Sequence, residues 1–413
     1  MLPRVPLAIK HVDDYLDAAG ADAVEAVREA ARRFEGARVL HLNTTSFGGG
    51  VAELLHAQLP LLRDLGVDAE WALLQGSEEF FHVTKAVHNA LQGAEVVWTE
   101  KMRTVYWERV RDNAALLTEP FDFVFVHDPQ PAGILAALEE GGPREGRWLW
   151  RCHIDLSSPF EPVWAFFEPL VDRFDAAIFT MEEFARPGIA RPVIAFIPPS
   201  IDPLSHKNND VTPDMVLGIV QHHGVDIDRP LMTQVSRFDP WKDPVGVVDA
   251  YRLVRHDVPS LQLLMVGSMA DDDPEGAHYL ELTRAHVGSD PDVHLLTNLD
   301  GIGDLEVNAF QRASDVVVQK STREGFGLVV SEAMWKGRPV IGGNVGGIRL
   351  QIEDGRTGFL VDSVQACAER TTALLHDPDL RERLGENARK RVRERFLVLR
   401  EIEDDLRLMA KIA

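Results

Sequence analysis

Cysteine is almost missing from this chain of 413 residues. Cys152 and Cys367 are the only two, far apart and without metal-ligand spacing. Their scarcity excludes a disulfide framework and predicts reduced thiols. No uninterrupted apolar run approaches the roughly 18 residues that a membrane span needs. The segment MLPRVPLAIKHVDDY also lacks the apolar core of a signal peptide. Both absences predict a soluble, cytoplasmic protein. Positive charge is short: Lys and Arg number 43 against 65 Asp and Glu, a net charge of −22. That balance argues against nucleic acid or an anionic membrane as partner. It leaves room for an anionic small ligand held by a few local cations.

What is present is ordinary globular composition, 45% apolar and 26% charged, at a length that suits two domains of roughly 200 residues each. Strand and helix patterns alternate. In the first half, strands are expected at 37–42 (ARVLHL), 69–74, 121–126 (FDFVFV), 148–154 (WLWRCHI), 176–180 and 193–197, with helices at 21–34, 51–65, 82–91 and 102–117. Pro198-Pro199-Ser200-Ile201-Asp202-Pro203 then breaks the pattern, and with the polar segment 205–214 it reads as an interdomain linker. The alternation restarts with strands at 231–235, 262–266, 293–296, 316–319, 338–343 and 359–361. Helices lie between them, and an Arg-dense helical tail covers 380–412. The fold class is therefore α/β: two Rossmann-like, doubly wound parallel-sheet domains facing across a cleft. The boundaries read as 1–198 plus a C-terminal helix at about 395–413, and 199–394.

Chemistry concentrates in 323–337, REGFGLVVSEAMWKG. Gly325-Phe326-Gly327 supplies a turn that lets backbone N–H groups approach a ligand, and a helix begins at Leu328. Glu324 and Glu332 flank that turn and suit vicinal hydroxyls. The loop Ser236-Arg237-Phe238-Asp239-Pro240-Trp241-Lys242 offers two cations that can converge on one diphosphate, Arg as a fork and Lys as a point charge. Gly48-Gly49-Gly50 follows the first strand without GxGxxG spacing, so a dinucleotide fingerprint is absent. Two strands end in a His and an Asp, at His127-Asp128 and at His153 with Asp155, where ligands bind in open α/β sheets. Neither histidine has metal spacing such as HxxxH. Asp271-Asp272-Asp273 is a rival metal site in a polar loop that reads better as solvated.

Taken together, REGFGLVVSEAMWKGRPVIGGNVGG, SRFDPWKDP, the FGGG turn and the tail LGENARKRVRERF resemble retaining family-4 glycosyltransferases of the GT-B fold. VVVQKSTREGFGLVVSEAMWKGRPVIGG, VHDPQPAG and WRCHIDLSSP are similar, within that family, to the trehalose glycosyltransferring synthases, relatives of the retaining trehalose phosphorylases. The resemblance implies a first domain on the acceptor side, with the C-terminal helix crossing back onto it, and a second that binds nucleotide-sugar. It implies transfer of glucose from a nucleoside-diphosphate glucose donor to a glucose acceptor, giving α,α-trehalose with retained configuration. By position, Arg237 and Lys242 hold the diphosphate, and Gly49 and Gly50 approach it from the other domain. Glu324 with the backbone of Gly325, Phe326 and Gly327 holds the donor sugar, the Leu328 N–H at the helix N-terminus can meet phosphate or sugar oxygens, and Glu332 holds the ribose. His153 meets the donor sugar near the reacting carbon, and Asp128, Gln130 and Asp155 line the acceptor pocket. Residues near Gly267, Thr297 and Asn298 meet the base through backbone. Arg237, Lys242, Glu324 and His153 are the catalytic candidates.

No cofactor and no resident metal is required on this reading, with assistance by Mg2+ left open, as is a homodimer. Retention ordinarily implies a covalent intermediate on a carboxylate. None of the carboxylates here is an obvious nucleophile, so same-face attack assisted by the departing phosphate is expected. Other activities stay open: a sucrose-type, α-glucan or small-acceptor glucoside synthase, a trehalose phosphorylase, or a non-catalytic nucleotide-sugar binder. Intact Arg237, Lys242, Glu324 and Glu332 argue against the last.

Overall fold

The computed structural model describes residues 1–142, 144–268 and 274–413. The chain forms two compact units, Met1–Ser200 with Val398–Ala413, and Ile201–Leu397. Asp271, Asp272 and Asp273 lie outside the described residues.

The first unit is built on six parallel strands: β1 (Arg38–Asn43), β2 (Asp68–Leu73), β3 (Phe123–His127), β4 (Arg147–Arg151), β5 (Ala176–Phe179) and β6 (Val193–Phe196). Their order across the sheet is β2-β1-β3-β4-β5-β6, in a register that sets Val39 beside both Ala69 and Phe123. All of β3 is buried, which is why it reads as a continuous apolar run: helices cover both faces of such a sheet. The chain order reverses between β1 and β3. Loops leaving the carboxyl ends of those two strands therefore diverge to opposite faces and open a crevice.

The last helix, Val398–Ile412, completes this core. Val398, Leu399, Ile402, Leu406, Met409 and Ile412 recur at helical spacing and are buried with Val24, Leu55 and Trp71 of the first unit. Two acids on the same inward face, Glu401 and Asp405, both meet the buried Arg151 guanidinium at the end of β4. The Asp405 contact is 2.8 Å, and Ser200 Oγ donates to the other Glu401 oxygen. The two carboxylates keep Arg151 charged against the opposing effect of burial. Burial, only partly offset by Arg151, pushes the Asp405 carboxyl up to about 7.

The second unit repeats the plan with β7 (Leu231–Val235), β8 (Gln262–Gly267), β9 (Val293–Thr297), β10 (Val316–Gln319), β11 (Val340–Gly343) and β12 (Phe359–Val361). The order is β12-β11-β10-β7-β8-β9, all parallel. Its reversal point lies between β7 and β10, so the loops after those strands share one crevice.

Several expectations are corrected. The tail is two helices, Pro378–Arg395 and Val398–Ile412, because Phe396 and Leu397 leave the helical path. There Ile201 N donates to Phe396 O at 2.8 Å, and Ile201 bridges Leu397. The polar segment 205–214 is no loose linker. Asn208 is fully buried and accepts from Lys336 Nζ at 2.9 Å, and Thr212 caps a helix over Pro213–His222. Strand β4 ends at Arg151 rather than Ile154, leaving His153 in the following loop. Among the described residues, no helix is long and apolar enough to cross a membrane.

Candidate active site

In the second unit the two loops at the reversal point meet. After β7, Asp239 accepts from Lys242 N at 3.1 Å and closes a short 3-10 turn over Pro240–Lys242. That turn aims Lys242 at the loop after β10, where Nζ lies 2.5 Å from Glu324 Oε2. Ser321 Oγ donates to the same oxygen at 3.0 Å. Both charges are largely withdrawn from solvent, with 15% and 10% of their side chains exposed. Two of the expected catalytic residues, 82 positions apart, are thus in direct contact. Arg237 behaves differently. It is about half exposed, with Asp239 Oδ2 beside it at 3.3 Å.

Glycine makes the closeness of these loops attainable. A Cβ on Gly343 would stand 2.1 Å from Ser321 O, and one on Gly347 2.5 Å from Gly325 O, so only glycine lets 343–347 pack under the 321–326 loop. Gly327 takes the left-handed conformation (φ 83°) and caps the helix Leu328–Trp335. From below, Gln351 Nε2 donates to Phe326 O at 2.6 Å, and Ser331 holds the Gln351 amide oxygen. The carbonyls of the turn are therefore drawn downward. The N–H groups of Gly325, Phe326, Gly327 and Leu328 meet no acceptor among the described residues. An open helix N-terminus beside a lysine is a ready anion site.

Glu332 lies one side of this helix, 1% exposed. It lies 3.5 Å from Gln311 Nε2 and 3.8 Å from Lys207 Nζ, both long for hydrogen bonds. Asn298 is exposed in the 3-10 turn that follows β9, three strands from β10.

The first unit carries the other expected residues in the loops after β1, β3 and β4. After β1, Gly48 and Gly49 take positive φ (72° and 82°), and Gly50 starts the helix Gly50–Asp64. Phe47 beside them is 89% exposed. After β3 come Asp128 and Gln130, and after β4 His153 and Asp155. Asp128 is a non-glycine residue at φ 64°, a conformation Asp tolerates better than most. The conformation brings its Oδ1 to accept from His153 N at 2.9 Å, while its carbonyl accepts from Trp150 Nε1. Burial pushes the Asp128 carboxyl up to about 7. Asp155 turns inward and caps Ser157 N at 2.8 Å. Gln130 is half-buried beside them.

Behind these stands His41, which sequence reasoning did not single out, joined to them through the strand-end His127. His127 Nδ1 lies 2.9 Å from His153 Nε2, and His127 Nε2 lies 3.0 Å from His41 Nδ1. Burial, with the nearby Arg151 charge, holds His127 and His153 well below the usual imidazole range and His41 at about 3. For His41 the signal was present only as a histidine inside an apolar strand. Ser321, Lys207 and Gln351 left no local signal, because their partners are distant in sequence. Among the described residues, no group of three His, Cys, Asp or Glu side chains is arranged to hold a metal ion.

Comparison with known proteins places this geometry. The family described as trehalose synthase, N-terminal domain, matches residues 41–186, and glycosyl transferases group 1 matches residues 219–391. A trehalose synthase from Rubrobacter xylanophilus is 50% identical, over 100% of this chain and 99% of its own. One from Thermococcus litoralis is 47% identical over 97% of each. A trehalose phosphorylase from Pleurotus pulmonarius is more distant, 29% identical over 85% of this chain and 54% of its own. Among solved structures, an α,α-trehalose-phosphate synthase (UDP-forming) from Burkholderia vietnamiensis superposes with a TM-score of 0.72. It is 17% identical and covers 92% of this chain and 100% of that one. That likeness shows the GT-B fold, with a doubly wound parallel sheet in each unit. Identity near one half over the full chain goes further: this is a glycosyltransferase, and it belongs to the trehalose synthase family.

Proposed function

We propose that this chain transfers glucose from a nucleoside-diphosphate glucose to free glucose, giving α,α-trehalose with the donor configuration retained. The observation that carries the reading is the Lys242–Glu324 pair beside four N–H groups that meet no acceptor among the described residues. A cation and an open helix N-terminus suit a diphosphate, and a carboxylate next to them suits sugar hydroxyls. The names of the relatives supply trehalose as the product.

On this reading Arg237, Lys242 and the helix N-terminus stabilise the charge that develops on the departing diphosphate. Gly49 and Gly50 offer it further backbone N–H groups. Glu324 grips the donor sugar, Glu332 the ribose diol, and the turn at Asn298 flanks the base. His153 stands near the reacting carbon, with Asp128, Gln130 and Asp155 on the acceptor side. Attack on the same face as departure fits the state of the carboxylates. Glu324 is tied to Lys242, and Asp128, raised to about 7, is only partly anionic at neutral pH. Neither is poised as a nucleophile. A glycosyl adduct on Asp128 or Glu324, trapped by mass spectrometry, would sink that mechanism.

The test is direct: incubate the protein with ADP-, UDP- and GDP-glucose against a panel of sugars and identify products by NMR. Trehalose with at least one donor and glucose is expected, and its absence with every donor removes the reading. Glu332→Gln is expected to raise the donor KM about 10–100-fold with kcat nearly unchanged, since a neutral amide accepts a diol less well in ground and transition states alike. A large fall in kcat at intact donor affinity would mean that the roles of Glu324 and Glu332 are exchanged.

A further inference from the structure

The three histidines behind the first-unit loops form one hydrogen-bonded row: His41, His127, His153, at 3.0 and 2.9 Å. Neighbouring rings lie nearly parallel, 24° and 16° apart, and His41 stacks on Phe125 at 2°. His41 is 1% and His127 2% exposed, so no solvent disturbs either link.

Proton counting leaves this row few options. A neutral imidazole carries one N–H, and each link needs one. Three neutral rings with two links therefore have two arrangements. In one, every ring is protonated on Nδ1, and His153 Nδ1–H is left over to donate outward. In the other, every ring is protonated on Nε2, His153 Nδ1 is a bare acceptor, and the spare N–H is on His41 Nε2. The tautomer at one end is fixed by the environment at the other.

That far end is visible. Among the described residues His41 Nε2 has no partner, and neither has Gln58 Nε2, although both are buried. The two residues line the same cavity of about 10 Å³, with Asp405 and the apolar Val39, Leu62 and Met409. The space fits about one water. Gln58 Nε2 can only donate. A bare His41 Nε2 complements it directly, whereas a protonated one needs a water or the Asp405 carboxylate as a common acceptor for both donors.

We propose that His41 and His127 are positioning residues that commit His153 to the Nδ1–H tautomer and so make it a neutral hydrogen-bond donor to substrate. The proposal rests on the reading that places His153 at the donor sugar. Neutrality has its own use there. An oxocarbenium-like transition state gains positive charge at the reacting carbon, and a protonated His153 would oppose it. Burial and Arg151 disfavour that proton, and the row supplies orientation without adding charge.

The experiment is nitrogen-15 NMR of histidine-labelled whole protein, resonances assigned with single His→Phe variants. Expected in the wild type is a pyrrole-type Nδ1 and a pyridine-type Nε2 on all three rings. His127→Phe cuts the row, and a mixed His153 tautomer with kcat lowered about 10–100-fold is expected. Gln58→Glu puts an acceptor at the far end and is expected to reverse the row, leaving His153 Nδ1 unprotonated without touching it. A wild-type His153 with a bare Nδ1, or a tautomer unmoved by both variants, overturns the proposal. His153→Ala separates the two readings. If it leaves turnover intact while His127→Phe shifts the tautomer, His153 is not at the sugar but the row is real.

Discussion

Lys242→Ala is expected to lower kcat about 10²–10³-fold, the scale of losing one preorganised group at a site of developing charge, about 2.7–4 kcal/mol. Nucleoside diphosphate binding, measured by calorimetry, should weaken much less. The reason lies in the geometry: Nζ sits on Glu324 before substrate arrives, and the 3-10 turn closed by Asp239 holds it there. Such a cation needs no reorganisation when the sugar–phosphate bond stretches, so its effect grows toward the transition state. Lys242→Arg should recover only part of the loss, because a planar fork cannot occupy a point-charge position between Glu324 and an anion. Equal losses in kcat and in diphosphate affinity would assign Lys242 to ground-state binding and remove it from the leaving-group role.

Arg151→Met should cost stability rather than chemistry, about 3–5 kcal/mol in urea unfolding. Glu401 and Asp405 would be left buried without a cation on the inner face of the final helix. The pH dependence has a definite sign. A carboxyl raised in the folded state binds its proton more tightly there than when unfolded, so stability falls as pH rises toward the folded value. Asp405 already stands at about 7, and loss of Arg151 lifts it further. The deficit of the variant should therefore widen from pH 5 to pH 8. A constant deficit would show that packing, not charge, holds the helix. Replacing Glu401 and Asp405 by leucine in the same variant should restore most of the stability, since a well-packed apolar triad can match a buried ionic one.

Much of this architecture was legible because both sheets are parallel and doubly covered. Strands such as 121–126 then read as unbroken apolar runs, and only their edges shifted, as at β4. The helix Glu161–Val171 was missed for a local reason. Pro162 and Pro169 lie in it, one near the start, where proline is tolerated, and one inside. The loops after β7 and β10 were legible as residue types, yet the contact between Lys242 and Glu324 was not, because it depends on β7 and β10 being neighbours. The histidine row is harder still. Its members come from three segments, and strand order alone makes β1, β3 and β4 adjacent. The polar run 205–214 looked like a linker because polarity was all it displayed. Its burial comes from side chains such as Lys336, more than a hundred positions later.

The final helix also sets a schedule. The first unit contains residues 1–200, yet its core includes side chains from 398 onward. During synthesis, at about 5–20 residues per second, the second unit's nearly two hundred residues occupy roughly 10–40 s. Throughout that interval the apolar groove beside Leu55 and Trp71 is open and the Arg151 guanidinium lacks both of its acids. The half made first is thus finished last, and a nascent chain stalled anywhere before the last turn presents a sticky, charged surface to chaperones and proteases.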